Sequence, residues 1–237
     1  TEDGIQLYKK ELLRFKKVLE DKFETTITDE AVLHQIKLRN GINKALRRLQ
    51  YVMANDPAPV NGLDVINTVY GSGFDINTEG LEDRINAVTD KIEKEYTEGK
   101  NIGKKPRILV TGSPSGGAAL KVIRAIEDNG GVVVCFENCT GMKPLALARK
   151  YLNIGCSCMS PNKNRLDLLD ELIDDFQVDG VVDLVLQACH TYNVETALIK
   201  KLVKDKKGIP YTVVETDYSQ ADIEQINTRM AAFIEML

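Results

Sequence analysis

The chain has 237 residues, 43% of them hydrophobic, so it can bury at least one substantial core. It carries 31 basic and 35 acidic residues, a formal net charge of -4. A nucleic-acid partner is not expected, because such a surface needs concentrated positive charge. No apolar run approaches the roughly 20 residues of a membrane span, and the N-terminus has no signal pattern. We therefore expect a cytoplasmic protein without a membrane partner.

Residues 1–105 are predicted to form a mainly helical region. Apolar residues recur at helical spacing over 4–23, and Thr28 is a suitable N-cap for a second helix. Two more helices are predicted within 60–96, separated by Gly71-Ser72-Gly73. Because the chain begins without methionine and directly in a helical pattern, we expect it to be part of a longer protein.

Residues 106–237 show strands and helices in alternation. The strands are predicted at 107–111, 131–136, 180–186 and 211–215. The helices are predicted at 118–129, 145–152, 164–176, 194–207 and 219–236. Strands rich in valine and leucine, each followed by a helix, indicate a doubly wound α/β domain with a parallel sheet. Ligands of such sheets bind beyond the carboxyl ends of the strands.

Four of the five cysteines lie in short polar segments at or near predicted strand ends. They are Cys139 in Glu-Asn-Cys-Thr-Gly, Cys156 and Cys158 in Cys-Ser-Cys-Met-Ser-Pro-Asn, and Cys189 in Gln-Ala-Cys-His. In a reducing cytosol, clustered cysteines more often bind metal or carry redox chemistry than form disulfides. The fifth, Cys135, lies in an apolar run and is interpreted as a buried strand residue.

The spacing of the four thiols leaves the bound group open. Zinc accepts four cysteines, but its usual sites are two close pairs, and here the single close pair has a one-residue spacing. An iron-sulfur cluster is favoured, with zinc and inert thiols as the alternatives. The helix predicted after Pro161 has a positive N-terminal end that would favour thiolates at Cys156 and Cys158.

Three other features belong to the same predicted rim. The loop 111–117 opens a helix and could hold an anion, although a plain tight turn explains it equally well. His190 follows Cys189 and is a candidate catalytic proton carrier, or a residue that only caps the next helix. Glu215 is a second catalytic candidate, and Asp217 beside it is as readily a helix cap.

The motifs together resemble one superfamily. They are the segments around Cys139 and Cys156, the run Phe-x-Val-Asp-Gly-Val-Val-Asp-Leu-Val-Leu-Gln-Ala-Cys189-His-Thr-Tyr-Asn-Val-Glu195, and Ile-Pro-Tyr-x-x-x-Glu215-Thr-Asp-Tyr-Ser. These strings are similar to the 2-hydroxyacyl-CoA dehydratase and benzoyl-CoA reductase superfamily, and most like its double-cubane cluster branch. The resemblance covers nearly the whole chain and is most specific from Arg107 onward.

Membership would imply two α/β domains per subunit with an oxygen-sensitive iron-sulfur cluster between them. It would also imply a homodimer or heterodimer and a separate ATP-hydrolysing activator that delivers a low-potential electron. The ligands would be Cys139, Cys158 and Cys189, with Cys156 as a further candidate. The cofactor would be a double-cubane or a 4Fe-4S cluster, and the protein would tune its potential.

Two departures from the family pattern are visible. A further α/β domain normally precedes the helices, and it supplies more cysteine ligands. The sequence is also shorter than usual between Gly141 and Leu145, so a loop could be absent and the spacing from Cys139 to Cys156 altered.

Three functional hypotheses follow. The first is an enzyme component that carries the cluster and reduces small molecules, with elimination of water from a 2-hydroxyacyl-CoA thioester as its alternative. The second is a non-catalytic accessory subunit, and the third is a zinc-stabilised binding domain. The sequence names no substrate, because it contains no recognisable adenine or pantetheine motif.

Overall fold

The structure is a computed structural model that describes residues 2–113, 116–138 and 155–237. Its first part is helical. The elements are α1 (Glu2–Phe23), α2 (Asp29–Tyr51), a 3-10 turn (Val52–Ala54), α3 (Gly62–Gly73) and α4 (Leu81–Thr97). Thr28 caps α2, its side chain accepting a hydrogen bond from the Ala31 amide at 3.1 Å, as the sequence predicts.

The second part is an α/β domain built on a parallel sheet. Its strands are β1 (Arg107–Gly112), β2 (Val132–Asn138), β3 (Gly180–Leu186) and β4 (Tyr211–Thr216). Its described helices are α5 (Gly117–Asp128), α6 (Lys163–Asp175), α7 (His190–Lys201), which continues as a π-helical turn (Leu202–Lys207), and α8 (Ile223–Ile234). The strand order is β2-β1-β3-β4, and all three pairings are parallel.

Both faces of the sheet are covered. One core joins apolar residues of α2, α6 and α7 to the sheet, and the other joins those of α5 and α8 to the opposite face. Because β1 lies between β2 and β3, the chain reverses its winding direction at β1, and the carboxyl ends of β1 and β3 border the crevice. The predicted doubly wound α/β fold is confirmed.

Several element boundaries differ from the sequence predictions. Gly71-Ser72-Gly73 forms the last turn of α3 and does not separate two helices; the break follows it. The helix after β3 begins at His190, before the predicted 194, because Cys189 already stands at its N-cap. The last helix begins at Ile223, because Asp217 and Ser219 first form turns in which their side chains accept backbone hydrogen bonds. The helix predicted at 145–152 lies outside the described residues.

Arg107 fixes the helical part to the α/β domain. Its guanidinium is buried and donates to the carbonyls of Met53 (2.7 Å), Asn55 (2.9 Å) and Phe176 (2.9 Å). Burial lowers the pKa of this side chain, and the nearby Asp56 opposes that effect. The first residue of β1 therefore satisfies carbonyls at the end of the 3-10 turn that would otherwise lack partners.

Glu127 makes a second connection, at the N-terminus of α3. Its carboxylate accepts from the amides of Gly62 (2.6 Å), Leu63 (3.3 Å) and Val133 (3.3 Å). A carboxylate suits this position because the first amides of a helix lack intrahelical acceptors. Burial raises the pKa of Glu127, and these three hydrogen bonds counteract the rise. The domain division predicted at residue 105 stays a prediction.

Helix α1 differs from the others in having no buried residue. Its apolar side chains Leu7, Leu13, Phe15, Val18 and Phe23 are all more than half exposed. Across the described ranges, no helix is both long and apolar enough to cross a membrane.

We predict that Gly62→Ala destabilises the fold. A Cβ at this position would lie 2.0 Å from the Val133 carbonyl oxygen, so the backbone of α3 or β2 must shift. The expected loss is about 1 to 3 kcal/mol of unfolding free energy, the usual cost of overpacking.

Gly71→Ala in the same helix is the matched control, since nothing lies within 4 Å of its Cβ position. It should leave stability unchanged or raise it by up to about 1 kcal/mol, because alanine favours helix over glycine. Urea unfolding of both variants provides the measurement. Equal stability of the two variants would contradict the close approach of α3 and β2.

Candidate functional site

Cys156 and Cys158 lie in a loop that contacts the segment carrying Cys189, beyond the carboxyl end of β3. The sulfur atoms of Cys156 and Cys158 are 3.3 Å apart. Ser157 donates a hydrogen bond to the Thr191 hydroxyl at 3.1 Å, and that hydroxyl is 3.9 Å from the Cys189 sulfur. The structure thus joins the Cys-Ser-Cys loop to the segment that follows β3.

The backbone around Cys189 explains how a thiol is presented there. Ala188 has a positive φ of 66°, which turns the chain at the end of β3. Cys189 then occupies the N-cap position of α7 and is half-buried, while Cys158 is exposed. The thiol thus lies at the helix N-terminus, where the first backbone amides have no intrahelical acceptor.

The close contact with Cys156 opposes ionisation of Cys158. The neighbouring Cys156 sulfur raises the pKa of the Cys158 thiol above its ordinary value. Without a bound cation Cys158 therefore favours the thiol form. A metal centre would reverse that preference, since a coordinating thiol is deprotonated by the metal's charge.

The predicted ligand set is only partly visible. Cys139 lies outside the described residues, and Asn138, which precedes it, ends β2. Within 2–113, 116–138 and 155–237, no three His, Cys, Asp or Glu side chains meet closely enough to hold a metal ion. Cys135 is buried inside β2, and burial raises the pKa of its thiol, as expected for a core residue.

The two catalytic candidates lie on the same rim. His190 is the first residue of α7 and is exposed, and Glu215 is exposed at the end of β4. Asp217 instead makes a local turn, accepting from the Ser219 amide at 2.7 Å, and this contact lowers the pKa of its carboxyl. No described contact tests a catalytic role for His190 or Glu215.

The glycine loop after β1 is partly used by the fold itself. The Ser113 amide donates to the Leu184 carbonyl at 2.8 Å, and the Ser113 hydroxyl accepts from the Leu186 amide at 3.2 Å. Gly112 has a φ of 123°, and a Cβ there would lie 2.0 Å from the Leu184 oxygen. Close pairing of β1 with β3 thus explains the start of the loop without an anion.

A buried ionic network lies behind the cysteines, and sequence reasoning missed it. Arg165 is fully buried and donates to Glu137 (3.1 and 3.2 Å), to Thr111 (2.9 Å) and, in a very short contact, to Glu195. Thr111 in turn donates to Glu137 at 2.5 Å. A partial signal was present in the sequence, since Glu195 ends one of the quoted motifs.

The network holds Arg165 firmly in its charged form. Burial lowers the pKa of the guanidinium, but Glu137 and Glu195 outweigh burial and raise it. The ring of Tyr192 also covers the guanidinium, with 4.8 Å between the ring centroid and the central carbon. The residues that meet here come from β1, β2, α6 and α7.

Asp183 on β3 adds a third acid to the same interior. Tyr211 donates to one of its carboxylate oxygens at 2.8 Å, and the other oxygen is buried without a hydrogen-bond partner among the described residues. Burial raises the pKa of Asp183 to about 6, although Tyr211 and Arg165 lower it. Near neutral pH a buried charge therefore lies on an incompletely satisfied group.

Comparisons with known proteins identify the family. The model described as 2-hydroxyglutaryl-CoA dehydratase, D-component, matches residues 1–237. The chain belongs to this family. The predicted superfamily resemblance is thereby confirmed.

Three relatives show what family members look like. A protein of Escherichia coli (strain K12) with the provisional name dehydratase subunit YjiM is 46% identical over 243 residues, which cover 98% of this chain and 63% of that protein. The (R)-phenyllactyl-CoA dehydratase beta subunit of Clostridium sporogenes is 23% identical over 97% of this chain and 62% of its own length.

The third relative, a benzoyl-CoA reductase subunit of Thauera aromatica, is 22% identical over 59% of this chain and 36% of its own length. The chain thus spans less than two thirds of the length of each of these relatives. It belongs to a family of dehydratase and reductase subunits.

We predict that Arg165→Met lowers the unfolding free energy by about 3 to 5 kcal/mol, because it leaves two buried carboxylates without their cation. Guanidinium unfolding followed by circular dichroism measures this loss. Arg124→Met, which removes an exposed arginine of α5, is the control and should change stability little. A loss below about 1 kcal/mol would show that the buried ion pairs contribute no net stability.

We also predict that the stability of Asp183→Asn, relative to the unaltered protein, is higher at neutral pH than at acidic pH. The pKa of Asp183 is raised from 3.8 to about 6 in the folded state. Between these values the folded state keeps a proton that the unfolded state has lost, so stability falls as pH rises through this window. The fall is at most about 3 kcal/mol.

The variant lacks this titration, so its stability relative to the unaltered protein should rise between about pH 4 and pH 7. Urea unfolding at the two pH values measures the change. Asp205→Asn, at an exposed position of the π-helical turn, is the control and should not show it. A pH-independent difference for Asp183→Asn would contradict the raised pKa.

Proposed function

We propose that this chain is the cluster-bearing part of a subunit of an ATP-dependent low-potential reductase, of the double-cubane type that reduces small molecules. The observation that carries the proposal is the contact between the Ser157 and Thr191 hydroxyls, which joins the Cys156–Cys158 loop to the Cys189 segment. The 3.3 Å contact of the Cys156 and Cys158 sulfurs supports it, as does the position of the Thr191 hydroxyl between Ser157 and the Cys189 sulfur. The family supports the broader enzyme class.

The donor set fits an iron-sulfur cluster. Thiolates are the usual ligands of such clusters, and the described rim offers three cysteines. Cys139 would join them, since it follows β2, whose carboxyl end lies beside that of β1. Cys139, Cys158 and Cys189 are the proposed ligands, with Cys156 as the fourth candidate. When bound, the cluster would supply electron transfer at low potential.

The chain's own residues would prepare the site in three ways. The turn at Ala188 and the N-cap position present the Cys189 thiol at the start of α7. The buried Arg165 network supports the segments behind the thiols. The exposed His190 imidazole and Glu215 carboxylate are proposed to hold or deliver protons to a substrate at the rim.

The partners remain part of the proposal. An ATP-hydrolysing activator would deliver the electron, and the subunit would act as a homodimer or heterodimer. The substrate would be a small molecule or an acyl-CoA. The remaining length of the relatives leaves room for the further α/β domain that the family pattern predicts.

A dehydratase subunit that eliminates water from a 2-hydroxyacyl-CoA thioester is the second candidate. The specific observation in its favour is the family description, together with the dehydratase names of two relatives. Both candidates need a cluster, so they differ in its size and in the acceptor of the electron.

The test is to measure the content of iron and acid-labile sulfide per subunit in the full-length protein purified without oxygen. About eight irons per subunit would support the double-cubane type, and about four the dehydratase type. Absence of iron after anaerobic reconstitution would overturn both and favour a non-catalytic accessory subunit or a zinc-stabilised domain.

Cysteine variants make the assignment specific. We expect Cys139→Ser, Cys158→Ser and Cys189→Ser each to lose most of the iron, because serine replaces a soft sulfur ligand. Cys135→Ala is the matched control and should keep full iron content, since Cys135 is buried in β2. Equal iron in the control and the three serine variants would contradict the ligand assignment.

A further inference from the structure

The Arg165 guanidinium contacts carboxylates from the segments that carry Cys139 and Cys189. Arg165 belongs to the helix that follows the Cys156–Cys158 loop. Glu137 lies two residues before Cys139, and Glu195 lies on α7, the helix that Cys189 caps. Both carboxylates pair with Arg165. Arg165 itself lies in the first turn of α6, directly after the Cys-Ser-Cys loop.

The Asn162 side chain links this network to the loop. Its amide nitrogen donates to the Cys156 carbonyl at 3.0 Å and to the Glu195 carboxylate at 2.5 Å. Gly155, at the start of the loop, packs so tightly on Arg165 that an added Cβ would lie 3.0 Å from the arginine Cβ. The loop is therefore held by a hydrogen bond on one side and by backbone packing on the other.

Helix capping does not explain Asn162. It stands at the N-cap of α6, where asparagine normally accepts a hydrogen bond from the first turn, yet its side chain makes no capping bond. Its carbonyl oxygen is buried without a hydrogen-bond partner among the described residues. An unpaired buried acceptor is unfavourable. The two hydrogen bonds of the amide nitrogen, to Cys156 and Glu195, therefore determine the orientation of this side chain.

We propose that Asn162 is a positioning residue. It links the Arg165–Glu195 ion pair to the Cys156 carbonyl and so holds the Cys156–Cys158 loop against the segment that begins at Cys189. The inference rests on the proposed function for its purpose, because the geometry matters most if these thiols bind one centre. Its experimental readout does not require that centre.

The experiment compares Asn162→Ala with Asn129→Ala in the full-length protein. Asn129 also donates through its amide nitrogen, to the Ala125 carbonyl at 2.7 Å, but lies at the end of α5 away from the cysteines. Iron-free protein is treated with dibromobimane, which links two neighbouring thiols. Peptide mass spectrometry then quantifies the link between the Cys156–Cys158 peptide and the Cys189 peptide.

We expect Asn162→Ala to reduce this link about fivefold at unchanged circular dichroism, because one hydrogen bond contributes a factor of that order. Asn129→Ala should match the unaltered protein. In iron-loaded protein, Asn162→Ala should also shift the midpoint potential of the paramagnetic resonance signal. If Asn162→Ala does not fold, Asn162→Ser, which keeps one donor, is measured in its place.

Unchanged linking in a folded variant would overturn the positioning role. If the unaltered protein forms the link but never takes up iron, the proposed function is overturned. The positioning role is then decided by the comparison of Asn162→Ala with Asn129→Ala. A reduced link without iron would support the positioning role alone. The two proposals can therefore fail separately.

Discussion

The buried guanidinium of Arg165 is the constraint on which the rest of the site depends. A charge removed from water must be fully paired, and here two carboxylates, a threonine hydroxyl and a tyrosine ring surround it. These partners come from four elements that are distant in the sequence. The observed arrangement of β1, β2, α6 and α7 satisfies the charge, so the network favours that arrangement over ones that leave Arg165 unpaired.

The sheet topology places this network next to the cysteine-bearing segments. With β1 between β2 and β3, the crevice borders the carboxyl end of β1, and Thr111 and Glu137 of the network lie next to the last residues of β1 and β2. Glu137 is the second-last residue of β2, and Glu195 lies on α7, whose N-cap is Cys189. The acids that pair with Arg165 are thus close in sequence to the cysteines, and an interior ion pair can fix the position of surface thiols.

The electrostatic balance of this interior is acidic. Glu137, Glu195 and Asp183 lie near a single described arginine, and burial raises the pKa of Asp183. Arg107 and Glu127 carry out a different task at the opposite region, where they satisfy backbone groups between the helical part and the sheet.

The sequence by itself determined the alternation of strands and helices, the parallel sheet, the Thr28 cap and the family, because periodicity and contiguous motifs are local properties. It also predicts that the cysteines share a rim, because strand ends in a parallel sheet meet at one edge, and that assignment stays a prediction. Only the tertiary structure decided that Ser157 and Thr191 join two cysteine segments, that Asn162 does not cap its helix, and that Arg165 pairs with Glu137 and Glu195. These contacts join residues about 30 positions apart, and pairing at such distances depends on how the chain packs.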